Sequence, residues 1–424
     1  MFRKKHSLIK GTLILTSAGL VSRVLGFFFR IFLSHTFGEE QVGLYQLIFP
    51  FYALCLSLST SGLETAISRS VSRFHSLGRT QDGKLIFQTG LILSVLISLI
   101  CTFLVQKNSI FLSNRFLGDP RCATLLYLIV LALPAASVHS CICGYHYGLQ
   151  RTSVPAISQL IEQFVRISSV FVLYFIHSGV HPEIPLAVSG IIFGELAAAG
   201  YSLFSLKKKG FDADSPYILS ISKSCSELLR LSVPLTVNRT AITFLQGIEA
   251  ASIPVCLELA SHSASEALSI YGVLTGMALP CILFPCALTN SISLLLIPAV
   301  AQKQAESSSK ETFLLIKKAA GGCFSLGLLC SVFFLLTGSF LGNFLFHSTL
   351  AGNFIVTLAW ICPFLYTSSA LLSAINGLGL TTLTLMINLL GLSIRILSVY
   401  FGIPHYGIAG YLWGLFISQS TVCL

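Results

Sequence analysis

The sequence predicts an all-α, polytopic membrane protein of about twelve transmembrane helices in two six-helix, pseudo-symmetric lobes. Three observations predict it. Hydrophobic residues make up 54% of the 424 positions and charged residues only 10%, whereas about a quarter of a soluble domain is charged. Stretches of roughly 20 apolar residues, the length that spans a bilayer as a helix, are centred on Ser22, Leu56, Val95, Leu133, Phe164, Phe193, Thr243, Phe284, Leu326, Leu365, Leu392 and Leu415. The chain also matches itself. Residues 134–169 overlay 363–398 without a gap, aligning Pro134 with Pro363, Ser140 with Ser369, Gly148-Leu149 with Gly377-Leu378, Thr152 with Thr381 and Arg166-Ile167 with Arg395-Ile396. After a nine-residue shift, Gly190 and Gly194 meet Gly410 and Gly414, and earlier Pro50 falls opposite Pro280.

Six helices per repeat is an even number, so both halves enter the membrane in the same sense and are related by an axis along its normal. Such parallel repeats place a substrate site near the midplane and let one half rock against the other. The expected division is an N-terminal lobe over 1–206, a basic cytoplasmic linker over 207–226 and a C-terminal lobe over 227–424. This is transporter architecture. No catalytic constellation argues for an enzyme, and a channel would more often be a symmetric oligomer of short subunits.

The first helix opens after Met-Phe-Arg-Lys-Lys. That start imitates a signal peptide, but the following segment carries arginines and lacks a small-residue cleavage site, so it reads as a retained helix. On it Thr12, Thr16, Gly19, Arg23, Gly26 and Arg30 recur at steps of three and four and share one face. A guanidinium at membrane depth costs at least about 2.5 to 3.5 kcal/mol on insertion scales and needs water, a counter-ion or a ligand. The second helix repeats the pattern with Gln46, Pro50, Ser57, Ser61, Glu64 and Ser68. On the fifth, Glu162 and Arg166 are one turn apart, a spacing that suits an intrahelical ion pair, and Glu195 on the sixth can face either Arg166 or Arg395. The seventh carries Thr236, Arg239, Thr243, Gln246 and Ala250, with Glu249 one face over, and the eighth Tyr271, Thr275, Pro280, Pro285 and the polar run at Thr289, Asn290, Ser291 and Ser293. Arg395, on the eleventh, has no acidic neighbour on its own helix. Small polar residues also serve close helix packing. The first, second, seventh and eighth helices are nevertheless expected to wall a central cavity, with Arg23, Arg30, Arg239, Gln46, Glu64 and Asn290 as substrate contacts. Glu162, Arg166, Glu195, Glu249 and Arg395 are expected to be structural or coupling residues.

The net charge of +10 is a topology signal. With the N-terminus inside, Arg3, Lys4, Lys5, Lys10, Arg69, Arg73, Arg79, Lys84, Arg151, Lys207 to Lys209, Lys223, Lys303, Lys310, Lys317 and Lys318 fall on the cytoplasmic side. Only Lys107, Arg115 and Arg121 then fall outside, as the positive-inside rule requires. Nucleic acid is not an expected partner, because the bases are scattered among loops. The thirteen cysteines sit mostly in apolar runs and read as small hydrophobes. No paired-cysteine or histidine cluster has metal-ligand spacing, so neither a metal nor a cofactor is expected. His139 and His146, at i and i+7, read as packing or water contacts.

The run Ser22-Arg-Val-Leu-Gly-Phe-Phe-Phe-Arg30, with Thr36-Phe-Gly, Gly43-Leu-Tyr-Gln-Leu-Ile-Phe-Pro50 and Ser61-Gly-Leu-Glu-Thr-Ala-Ile-Ser-Arg69, resembles the stage V sporulation protein B group. That group belongs to the multidrug, oligosaccharidyl-lipid and polysaccharide exporter superfamily. The resemblance is strongest over the first hundred residues. It implies a MATE-like exporter fold and a flippase in the bacterial cytoplasmic membrane for a polyprenyl-pyrophosphate-linked saccharide. It also implies that Arg23 and Arg30, seven apart as in the sporulation branch, hold the pyrophosphate. Guanidinium chemistry agrees, since its forked donors match phosphate oxygens. The implied partners are the anionic lipid-linked saccharide, membrane lipids and wall-synthesis enzymes, with one chain as the transport unit. Related flippases often carry two further C-terminal helices, whereas this sequence stops at Leu424, as a short or truncated member would. Two other readings stay open: a cation-coupled drug antiporter of the same fold, which would use Glu64, Glu162, Glu195 and Glu249, and a non-transport scaffold for envelope or spore-wall assembly.

Overall fold

A computed structural model of the chain describes residues 2–176, 183–208, 219–306 and 309–424. The middle of the expected basic linker, 209–218, lies outside the described residues, as do the side chains of Arg3, Lys4, Lys5, Lys10, Lys207 and Lys208. Every element among the described residues is helical. Ten segments are long and apolar enough to cross a membrane. The first of them, Ile14–Ser76, breaks at Gly38, whose φ of 79° and ψ of 173° no helix interior adopts. Only glycine takes that conformation without strain. Counting the two sides of the break separately, as α1 (2–37) and α2 (39–76), and adding the short final helix gives the twelve crossings read from the hydropathy.

The remaining helices are α3 (Thr80–Lys107), α4 (Cys122–Gly148), α5 (Ser153–Ile176), α6 (Pro185–Lys208), α7 (Ile221–Leu259), α8 (264–305), α9 (Ser309–Phe346), α10 (Thr349–Gly377), α11 (Thr381–Tyr406) and α12 (Ile408–Cys423). Helix α8 is interrupted after Leu283, where Pro285 starts its second segment. Proline lacks the amide proton that would continue the ladder.

These helices invert the soluble pattern. On α3 the outward residues are Ile92, Leu96, Leu99, Ile100 and Phe103, the last 65% exposed, while the buried face is Gly90, Ser94, Ser98 and Thr102. With lipid outside there is no water to hide Leu and Phe from, so small residues face inward where they let helices approach. Their hydroxyls find acceptors. Ser94 Oγ donates to the Ser59 carbonyl at 2.7 Å and Thr102 Oγ1 to that of Val130 at 3.0 Å, as a dry interior demands.

The chain forms two compact units. The first comprises residues 1–26 and 47–247. At one end of it Arg73 pairs with Glu227 at 2.6 Å, the Arg73 and Arg79 guanidiniums lie 4.6 and 5.1 Å from the Phe74 ring, and Asp82 accepts the Leu219 amide at 2.9 Å. These contacts seat the start of α7 on the ends of α2 and α3. The second unit comprises 27–46 and 248–424. There Gly43 of α2 lies against Gly272 and the Leu268 carbonyl of α8 so closely that a methyl group at either glycine would collide with backbone. Tyr366 Oη donates to the Ile282 carbonyl at 2.8 Å from a fully buried position. Lys303 bridges Glu306 and Glu311 at 3.0 and 2.6 Å where α8 hands over to α9.

Candidate functional site

In the first unit Arg23 on α1 and Arg239 on α7 are both exposed, and neither forms a salt bridge among the described residues. Glu64 on α2 is half-buried, accepts a hydrogen bond from Ser140 Oγ of α4 at 3.2 Å and lies in the field of Arg239 and His139. Helix α2 reaches Glu64 through a π-helical turn over Ser57–Ser61. Its hydroxyls fold back onto the helix, Ser59 to the Cys55 carbonyl at 2.9 Å and Thr60 to that of Leu56 at 2.8 Å. Such back-bonding bends helices, and π turns recur at functional positions. Ser57 also meets Thr240 of α7 at 3.2 Å. The α2–α7 seam, with Gly62 wedged beside Ser232 and Thr236, is therefore polar and close-packed, and it carries Glu64 and Arg239 at one margin.

In the second unit Arg30 Nη1 donates to the Thr275 carbonyl of α8 at 3.3 Å. Gln46 borders Gly276, the next residue. Both therefore converge on the π-helical stretch Val273–Ala278 of α8. Asn290 Oδ1 accepts from Ser369 Oγ at 3.2 Å, and Ser369 also meets Ser293 at 3.0 Å. The six predicted contacts thus fall as Arg23, Glu64 and Arg239 in one unit, and Arg30 with Gln46, plus a separate Asn290 group, in the other.

The residues set aside as structural or coupling groups form two buried constellations. Glu162 and Arg166 pair across one turn of α5. Beside them His139 Nδ1 of α4 lies 3.6 Å from Glu195 Oε2 of α6, and His139 Nε2 lies 2.9 Å from Ser158 Oγ. One ligand atom each from His139, Glu162 and Glu195 falls within 4.8 Å of the others, so among the described residues this is the group that could hold a metal ion. In the second unit Arg395, the repeat partner of Arg166, lies 3.4 Å from Glu249 Oε2 of α7, while Tyr411 Oη of α12 donates to Glu249 Oε1 at 2.8 Å. Glu195 therefore faces the α5 pair, and the acid for Arg395 comes from α7. Sequence reasoning missed Ser140, Ser158 and Tyr411 as partners of Glu64, His139 and Glu249. No periodicity marks a tyrosine or serine as such; Ser140 alone was flagged, by its match to Ser369 in the repeat.

Ten helices among the described residues are long and apolar enough to cross a membrane, which defines a multi-pass membrane protein. The chain belongs to the polysaccharide biosynthesis protein family, whose profile matches residues 8–298. It is 29% identical over 414 residues to stage V sporulation protein B of Bacillus subtilis strain 168, covering 96% of this chain and 80% of that protein. It is 25% identical over 318 residues to the lipid II flippase MurJ of the same organism, covering 70% of this chain and 58% of MurJ. In fold it is similar to a solved MurJ in an inward closed conformation, with a TM-score of 0.75, 15% identity and coverage of 97% and 86% of the two chains. It is also similar to an inward-facing MATE family multidrug transporter of the MOP superfamily, with a TM-score of 0.72, 14% identity and coverage of 95% and 92%. The resemblance read from the first hundred residues therefore extends along the chain, and the MATE-like exporter fold is that of these neighbours.

Proposed function

We propose that this protein is a flippase that carries a polyprenyl-pyrophosphate-linked saccharide across the cytoplasmic membrane by alternating access of its two halves. One observation carries the reading: the chain neutralises some of its intramembrane arginines and leaves others open. Arg166 and Arg395 have carboxylates of their own, whereas Arg23 and Arg239 are exposed and without a salt bridge among the described residues. An open guanidinium at membrane depth is retained only where water or an anion answers it, and a pyrophosphate is the anion whose oxygens its forked donors fit. The relative named as a lipid II flippase supports the same substrate class.

In this mechanism the head group enters from the cytoplasmic leaflet, Arg23, Arg30 and Arg239 replace its hydration, and Gln46, Glu64 and Asn290 contact the sugar or pyrophosphate. The cycle is driven by a difference in affinity between the two access states. The N-terminus is cytoplasmic, one chain is the transport unit, and wall-synthesis enzymes supply or consume the cargo. The test is a vesicle assay that follows delivery of a lipid-linked saccharide to the opposite leaflet, together with complementation of a flippase-depleted strain. Arg23→Ala and Arg30→Ala are expected to abolish both while the protein still reaches the membrane, and Arg23→Lys to restore little, because a point charge lacks the fork. Undiminished flipping by Arg23→Ala and Arg30→Ala together would sink the reading. Loss of cation-driven drug efflux in its place would favour an antiporter.

A further inference from the structure

We propose that His139, Glu162 and Glu195, with the Tyr52 hydroxyl beside them, form a site for a divalent transition-metal ion of the zinc class inside the first unit. The argument begins with the histidine tautomer. Ser158 Oγ donates its proton to the Pro155 carbonyl at 2.9 Å, which can only accept. Its contact with His139 Nε2 at 2.9 Å therefore needs the proton on Nε2. In the neutral ring that leaves a lone pair on Nδ1, which lies 3.6 Å from Glu195 Oε2.

With the ring neutral, two acceptors then face each other in a buried place; with it protonated, the contact is an imidazolium–carboxylate pair too long for a hydrogen bond. Glu195 is 8% exposed, and its Oε2 has no hydrogen-bond partner. A buried carboxylate in that state is costly unless a positive charge answers it. A proton answers it poorly, because 3.6 Å is too long for either atom to share one. A metal ion fits the spacing: bonds of about 2.0 to 2.2 Å to nitrogen and oxygen in a tetrahedron put neighbouring ligands about 3.3 to 3.6 Å apart. Glu162 offers the third ligand, all three atoms lying within 4.8 Å of one another, while Arg166 pairs with Glu162 Oε1.

A second observation points into the same place. The Tyr52 hydroxyl, on α2, is 6% exposed and also lacks a hydrogen-bond partner, and the charges acting on it are those of Glu195, Arg166 and Glu162. An ion or its bound water supplies what that hydroxyl is missing. Imidazole nitrogen with carboxylate oxygens is a donor set of zinc, and Ser158 holding Nε2–H is the outer contact that fixes a ligating histidine. The sequence expectation of no metal rested on spacing along the chain, whereas these ligands come from α4, α5 and α6. An ion here ties those three helices together within the unit.

The test uses the full chain, without an affinity tag, purified in detergent, stripped with chelator and titrated with Zn2+. Saturable uptake of one ion per chain is expected, with affinity falling at least about tenfold in Glu195→Gln and in His139→Asn and unchanged in Glu183→Gln, an exposed carboxylate. Should those variants fail to fold, zinc-edge X-ray absorption of the wild-type protein decides. A first shell of nitrogen and oxygen that includes an imidazole supports the site; a shell without imidazole, or with two or more sulfurs, overturns it. Absence of stoichiometric binding, or binding equal in wild type and both variants, overturns it as well.

Discussion

Arg166 and Arg395 occupy matching positions in the two repeats, yet their charges are balanced differently. Arg166 takes its carboxylate from one turn away on its own helix, while Arg395 takes Glu249 from another helix, with Tyr411 holding the second oxygen. Glu249 is 5% exposed, so removing the arginine leaves an uncompensated buried charge. Breaking such a pair from one side typically costs about 3 to 5 kcal/mol, whereas replacing both partners is often nearly neutral. Arg395→Met is therefore expected to lower the thermal midpoint of the purified protein markedly. The double variant Arg395→Met with Glu249→Gln should recover much of the loss, and equal destabilisation in the two would refute the pairing as the cause.

At the scale of helices, the matched glycines of the repeat perform the same task twice. Gly148 lets α4 approach α2 at the Ser68 carbonyl, and Gly377 lets α10 approach α8 at the Ile297 carbonyl; an added Cβ would sit 2.7 and 2.8 Å from those oxygens. Likewise Gly194 seats α6 on the Glu162 carbonyl of α5, and Gly414 seats α12 on the Ser398 side chain of α11. Van der Waals contact between close backbones is a main source of cohesion between helices in lipid. Gly148→Val and Gly377→Val should each cost about 1 to 3 kcal/mol or more, as overpacking does, read as a lowered midpoint or reduced folded yield. Gly200→Ala and Gly247→Ala, which meet nothing within 4 Å, should be neutral or slightly stabilising.

For the whole molecule, the distribution of lysine and arginine is the topological statement. The proposal puts residues 76 and 223 in the cytoplasm and residue 115 outside. In cells, single cysteines introduced at Ser76 and Arg115 in a background lacking reactive thiols should be labelled from opposite faces by a membrane-impermeant maleimide. Outside labelling of Ser76→Cys would reverse the orientation. The division into units crosses the helix boundaries: residues 27–46 belong with the second unit and the first part of α7 with the first. Which unit a stretch of helix belongs to is invisible to hydropathy, which registers only that a segment is apolar.

That the chain is a bundle of membrane helices, where those helices fall and which exporter family it resembles were legible in the sequence. Each follows from local composition, a fixed periodicity or a motif, and bilayer thickness leaves an apolar stretch little choice of structure. It also placed Glu162 and Arg166 one turn apart, since intrahelical spacing is set by the backbone. The meeting of Glu249 with Arg395, the approach of Arg30 and Gln46 to the same turn of α8, and the gathering of His139, Glu162 and Glu195 within 4.8 Å of one another appear only in three dimensions. Those contacts join helices far apart in sequence. Which faces meet depends on interdigitating glycines, serines and hydroxyl hydrogen bonds whose partners no one-dimensional pattern names.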